Sequence, residues 1–344
     1  MDPNYGATLL ILASSSAIYA ADWISFDYEK LFRNFASYTV GGLTVGAIYA
    51  LIAIGYTLVY GVLRLINFAH SEVFLVGLFA QYFALQAMGF TPNADTYDVG
   101  IVMTILYLFA AMIVAMLASG GTALLVERVA YRRLRKMGAP PFVFLITAIG
   151  ASFVLQQIFF VWRGGVPEPP IKLVSPEVQF TIFGADIDNR QLVIVGAAVV
   201  MMIIADIFVN RTKLGRGIRA VSQDETTATL MGVNPQRVIM ITFLFGGVLA
   251  GAAALLYSLY VPQTLVFNAG FLLGLKAFAA AVLGGIGNLR GALLGGLLLG
   301  VAESWGSALI GDQWKHAIAF ILLIFILMFR PTGILGESLG KARV

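Results

Sequence analysis

Few side chains in this chain are equipped for chemistry, and most of those few stand inside apolar runs. The stretch INFAHSEVFLVG at residues 66–77 sets Asn67, His70, Ser71 and Glu72 between two such runs, and Lys276 and Glu303 interrupt two later ones. His70 with Glu72 would make an acid–base pair only if both shared a face. On a helix two residues in sequence lie about 200° apart, so Asn67, His70, Ser71, Phe74 and Gly77 fall on one face and Glu72 points away. With no nucleophile or metal cluster nearby, a membrane enzyme built on His70 and Glu72 is disfavoured. A lone carboxylate at a bilayer centre costs about 2.5–3.5 kcal/mol, so Glu72 is expected near water, protonated or paired. Lys276 is offered Glu72 or Glu303 as its partner, and Glu303 shares a face with Gly296, Gly300 and Ser307. Asn67, His70, Glu72, Tyr56, Lys276 and Glu303 are the candidates for lining or gating a path. The competing role is packing: polar groups that hold helices together, with Tyr49, Tyr56 and Tyr60 as a stripe beside Gly46 and Ala53. His316 is expected at the outer interface.

The elements that hold these groups must live in lipid. Of 344 residues 59% are hydrophobic and 12% charged, and the mean hydropathy of +0.88 is far above that of soluble domains. The net charge of +4 comes from bases confined to short loops. They read as topology signals and not as a nucleic-acid face. Cysteine is absent and histidine occurs twice, at His70 and His316. Thiol chemistry, disulfides and a Cys-based metal site are thereby excluded.

Ten apolar segments are marked, at about 7–21, 38–61, 66–88, 100–126, 141–161, 191–209, 238–260, 271–287, 291–310 and 315–329. Segments this long satisfy their own backbone as helices. The first lacks a basic leader and a good cleavage pattern and is expected to be retained. Arg128, Arg132, Arg133, Arg135 and Lys136 in one loop, and Arg211, Lys213, Arg216 and Arg219 in another, are expected on the cytoplasmic side. The loop with Asp95 and Asp98, and the proline-containing residues 162–190, are expected outside. Both termini then lie inside, and Arg330, Lys341 and Arg343 in the tail agree. Residues 284–296 read either as a tight hairpin of two spanning helices or as a re-entrant pair. Glycines four apart, at Gly42/Gly46, Gly247/Gly251, Gly291/Gly295 and Gly296/Gly300, predict closely packed backbones.

Between Arg219 and Val238 the chain leaves lipid as AVSQDETTATLMGVNPQR. Ser222 with Glu225 reads as a capping box, the helix can run through Leu230 and Met231, and Gly232 suits the left-handed C-terminal position. A helix of two to three turns here suits a lever gripped by another protein, or an ordinary loop. LGKA at 339–342 lacks the Ser or Thr and the spaced glycine of a phosphate-binding loop. Energy coupling must then come from a partner or an ion.

Five blocks occur in order: YALIAIGYTLVYGVLRLINFAHSEVFLVG (49–77), VERVAYRRLR (126–135), GRGIRAVSQDETTATLMGVNPQRV (215–238), GLKAFAAAVLGGIGNLRGALLGGLLLGVAE (274–303) and PTGILG (331–336). Together they resemble the first permease subunit of the ABC importer for branched-chain amino acids, over roughly residues 36–336. The resemblance implies an all-α, polytopic bundle of about eight to ten spans, like a type II ABC importer permease. It divides the chain into an extra N-terminal segment (1–35), a permease domain (36–337) and a tail (338–344). It implies four kinds of partner: a second homologous permease, two ABC ATPases, an extracytoplasmic solute-binding protein and membrane lipid. This chain would bind no cofactor, ATP and Mg being used by the ATPases, and no nucleic acid. The location implied is the bacterial inner membrane. Residues 222–232 become the coupling helix, with Ser222, Asp224, Glu225, Ala228 and Gly232 at the ATPase contact. Ser71 stands where relatives generally carry glycine, and Arg290 where proline is frequent. The alternative is an ion-coupled secondary transporter in which Glu72, Lys276 and Glu303 carry protons.

Overall fold

A computed structural model describes residues 26–92, 100–169, 171–261 and 265–336. The apolar segment at 7–21, Asp95 and Asp98, and the tail bases Lys341 and Arg343 lie outside the described residues. Each of the other nine apolar segments is a helix. In chain order the helices of the described residues, the nine apolar ones and four shorter polar ones, are α1 (Tyr28–Arg33), α2 (Phe35–Leu63), α3 (His70–Ala87) and α4 (Ile101–Val126). A π-helical turn (Glu127–Tyr131) leads into α5 (Arg132–Lys136) and then α6 (Pro141–Arg163). There follow α7 (Asn189–Arg211), α8 (Lys213–Gln223), α9 (Glu225–Leu230), α10 (Pro235–Tyr260), α11 (Ala269–Gly284), α12 (Leu289–Ile310) and α13 (Lys315–Phe329). Among the described residues seven helices are long and apolar enough to cross a membrane. The proline-containing loop 162–190 also carries an antiparallel hairpin, β1 (Val178–Ile182) and β2 (Ala185–Asp188), turned at Phe183 and Gly184.

The segment expected as one helix over 66–88 is corrected. Helix α2 ends at Arg64 in the left-handed conformation (φ 53°), residues 65–69 form an irregular return, and α3 starts only at His70. Asn67 is therefore off the helix and does not share its face. The His70 ring packs on Gly55, eight residues before the end of α2, so α3 starts about 12 Å inside the bundle at 1.5 Å per residue. Helix α11 does the same from the other direction. Its Gly270 and Gly274 lie against the Ser71 backbone and Cβ, so the two short helices meet first turn to first turn in the interior. At 18 and 16 residues they span about 27 and 24 Å, short of the roughly 30 Å hydrocarbon core.

These halves are inverted copies in arrangement. Helices α2, α3 and α4 run long, short, long, as do α10, α11 and α12, and the most extensive packings are reciprocal: α2 with α12 and α10 with α4. Glycine spacing makes this possible. A Cβ on Gly296 or Gly300 would lie 2.5 Å or less from backbone atoms of Ala50, Gly42 or Gly46, and one on Gly251 2.5 Å from the Ala115 carbonyl. Dispersion between backbones replaces the hydrophobic drive that lipid removes. Helix α2 is thereby almost wholly buried, while α4, α6, α7 and α13 turn Phe109, Phe153, Ile203 and Phe325 outward, as lipid-facing helices do. Residues 285–288 form a tight turn joining short α11 to full-length α12, and Asn288 donates to the Leu335 carbonyl at 2.9 Å.

Candidate functional site

Lys276 on α11 and Glu303 on α12 are in contact, Nζ to Oε1 at 2.7 Å, and both are buried. Of the two carboxylates open to Lys276, Glu303 is the one it meets. Tyr49 of α2 donates to both Glu303 oxygens at 3.2 and 3.1 Å. Its neighbours Gly42 and Gly46 allow α12 close enough for this contact. Lys315 Nζ stands 3.9 Å from the same Glu303 oxygen. His316, one residue on, lines with Lys276, Tyr257 and Asn268 a cavity of about 230 Å³. The sequence offered no link between position 316 and position 276, because nothing local joins them.

The second group surrounds the meeting point of α3 and α11. His70 sets its ring edge-on to Tyr56, centroids 4.7 Å apart, while Glu72 turns the other way toward Ser152 of α6 and Gly270 of α11. No acid–base pair forms. Glu72 is fully buried; Ser71 and Ser152 hydroxyls lie 3.4 Å from Oε1, and Oε2 has no hydrogen-bond partner among the described residues. Its place in the first turn of α3 and beside the first turn of α11 sets it at two positive helix ends, which favour an anion. Ser71 donates to the Phe68 carbonyl at 2.7 Å. Its Cβ fills the space a side chain at position 274 would need, so the serine is accommodated by a glycine on the partner helix. Asn67 accepts from Tyr131 Oη at 2.9 Å, and with Tyr56 and Phe278 it borders a second, much smaller cavity.

The end of the molecule that carries the basic segments is built differently from the expected capping box. Ser222 is not an N-cap: it lies within α8, and its hydroxyl donates to the Arg219 carbonyl at 2.8 Å. Asp224 is the cap, accepting from the Thr226 and Thr227 amides at 2.8 and 3.1 Å and from the Thr227 hydroxyl at 2.7 Å. The signal was present in the sequence, since Asp caps as well as Ser does. These donors hold the Asp224 carboxyl below its ordinary range. Glu225 opens α9, Ala228 is its buried residue, and Gly232 turns the chain at φ +83°. Between them Leu230 and Met231 are 82% and 81% exposed.

Three contacts tie this end to the interior. Arg64 donates to the Ser222 carbonyl at 2.9 Å. Glu127, fully buried, receives Arg132 and Arg135 at 2.6 Å each and the Gln236 amide at 3.0 Å. Tyr131, in the π-helical turn, reaches Asn67. Sequence reading passed over Glu127; its trace there is an acid at the border of an apolar run, followed by arginines at positions 132 and 135.

Long apolar helices, two short ones meeting inside, few buried charges and a pair of short exposed helices on the basic end define a multi-pass membrane permease. The chain belongs to the family described as branched-chain amino acid transport system, permease component, which matches residues 38–327. It is 42% identical over 303 residues to the high-affinity branched-chain amino acid transport system permease protein BraD of Pseudomonas aeruginosa, covering 87% of this chain and 94% of that one. The corresponding LivH proteins of Salmonella typhimurium and Escherichia coli are 38% and 37% identical over 318 residues, covering 90% of this chain and 98% of theirs. No solved structure matches the chain.

Proposed function

We propose that this chain is one transmembrane subunit of an ATP-driven importer for branched-chain or similar small neutral amino acids in a bacterial inner membrane. Its partners are a second homologous permease, two ATPases and an extracytoplasmic binding protein, and both its termini lie in the cytoplasm. ATP and Mg act on the partners. The permease domain spans 36–337, between the segment 1–35 and the tail 338–344.

The observation that carries this reading is the α8–α9 lever. Two large apolar side chains, Leu230 and Met231, stand exposed at its tip beside the arginine-rich segments expected in the cytoplasm. An exposed apolar tip on a short capped helix suits a cleft on another protein. Asp224, Glu225, Ala228 and Gly232 shape the lever, and Ser222 joins it to Arg64. Closing of the ATPases would act on α9 and shift the bundle between two access states by differential contact energy. Tyr56, Asn67, His70, Glu72, Lys276 and Glu303 then line or gate the route.

Leu230→Asp with Met231→Asp tests this. Exposed substitutions change stability by no more than about 0.5 kcal/mol, so the variant is expected to fold and insert but lose ATPase co-purification and ATP-driven uptake. Retention of both overturns the reading. So does gradient-driven leucine uptake by the purified chain alone, which is the outcome an ion-coupled transporter requires.

A further inference from the structure

We propose that the cavity bordered by Lys276 and His316 is a substrate subsite within this single chain, and that Lys276 receives the carboxylate of a small apolar amino acid there. This rests on the importer reading.

The cavity measures about 230 Å³, the scale of a small metabolite and below the drug-sized range of about 300–1,000 Å³. It opens between the last turns of α10, the first half of α11 and the start of α13, away from the basic end. One boundary is charged. The Lys276 ammonium has three protons: one faces Glu303 Oε1 at 2.7 Å, and another faces the Tyr49 hydroxyl at 3.5 Å. That leaves a donor beside the cavity. With Lys315 3.9 Å from Glu303, two ammonium groups stand against one carboxylate, and the surplus positive charge favours an arriving anion.

The rest of the lining suits one kind of anion. Val266, Leu272 and Leu273 form an apolar wall, of no use to inorganic phosphate or a sugar. Asn268, which makes no side-chain cap bond at the N-cap of α11, and Tyr257 add two neutral polar side chains to the lining. A charged floor, an apolar wall and two neutral polar groups match a zwitterion with a branched apolar side chain. Glu303 and Tyr49 are positioning residues, holding Lys276 against the cavity.

The test uses the full chain in nanodiscs and radiolabelled L-leucine, with the assembled importer alongside. Two competitors separate the ends of the ligand: 4-methylpentanoate keeps the carboxylate and lacks the ammonium, and leucinamide does the reverse. 4-Methylpentanoate is expected to displace leucine, and leucinamide to compete about tenfold or more less well, the worth of one charge-assisted hydrogen bond. Because Lys276→Met alone leaves Glu303 buried without its cation, the variant used is K276M/E303Q, which removes both charges. It is expected to fold, to keep its ATPases and to lose leucine binding, while Lys276→Arg keeps the preference for the carboxylate.

Leucinamide competing as well as 4-methylpentanoate, or K276M/E303Q binding leucine like the unaltered chain, overturns the subsite. If the assembled importer still carries leucine under ATP in that case, the importer reading survives its loss. Conversely, carboxylate-selective binding by the chain without any ATPase association supports the subsite and sinks the importer.

Discussion

Removing one member of the Lys276–Glu303 pair leaves a charge with little water to receive it. Breaking such a buried pair typically costs about 3–5 kcal/mol, whereas replacing both partners by apolar groups is often neutral. Glu303→Gln is therefore expected to lower the thermal stability of the purified chain strongly, and Lys276→Met with Glu303→Leu to recover most of it. Equal loss in both variants would show that packing at the α11–α12 contact matters more than charge. This pair was half legible in the sequence: an intramembrane lysine needs an acid, but choosing Glu303 over Glu72 required the helix packing. The same holds for His70 and Glu72. Helical spacing correctly set them on opposite faces, and it wrongly included Asn67 because the start of α3 was not visible.

At the level of elements, α9 depends on a single capping carboxylate. Asp224 has a lowered pKa because three groups of Thr226 and Thr227 donate to its ionised form. A depressed carboxylate contributes stability that is complete above its ordinary pKa and fades as pH falls through the lowered value. Amide exchange in residues 225–230 should thus be slow and unchanged at neutral pH and accelerate only below the ordinary carboxylate range. Asp224→Asn, which keeps an acceptor, should remove the acid sensitivity and retain part of the protection; Asp224→Ala should lose the protection at every pH. Protection that does not respond to either substitution would mean that Ala228 packing alone holds the helix. The expected capping box at Ser222 failed for an instructive reason: two residues separated only by Gln223, Ser222 and Asp224, both cap well, and only the path of α8 decides which is free to do so.

For the whole molecule, the lever matters only if its movement reaches the interior. Under the proposed coupling, Arg64 is the link, since it is bonded to the end of α8. It closes α2 in a left-handed conformation that costs a non-glycine residue on the order of 1–3 kcal/mol, and its guanidinium holds the Ser222 carbonyl. Glycine would suit the backbone better and lacks the tether. Arg64→Gly is therefore expected to leave stability equal or higher while ATP-driven uptake per ATP hydrolysed falls roughly fivefold, the worth of about 1 kcal/mol. Uptake that tracks stability would refute the tether. The sequence by itself determined the lipid setting, nine of the helices, the basic segments and the turn at Gly232, because hydropathy, charge bias and turn residues act over short stretches. Only the tertiary structure decided where α3 and α11 begin, which acid meets Lys276, and that Glu127, Tyr131 and His316 belong with residues far away in the chain. Those contacts depend on how closely glycine-lined helices approach in three dimensions, and no local pattern carries that distance.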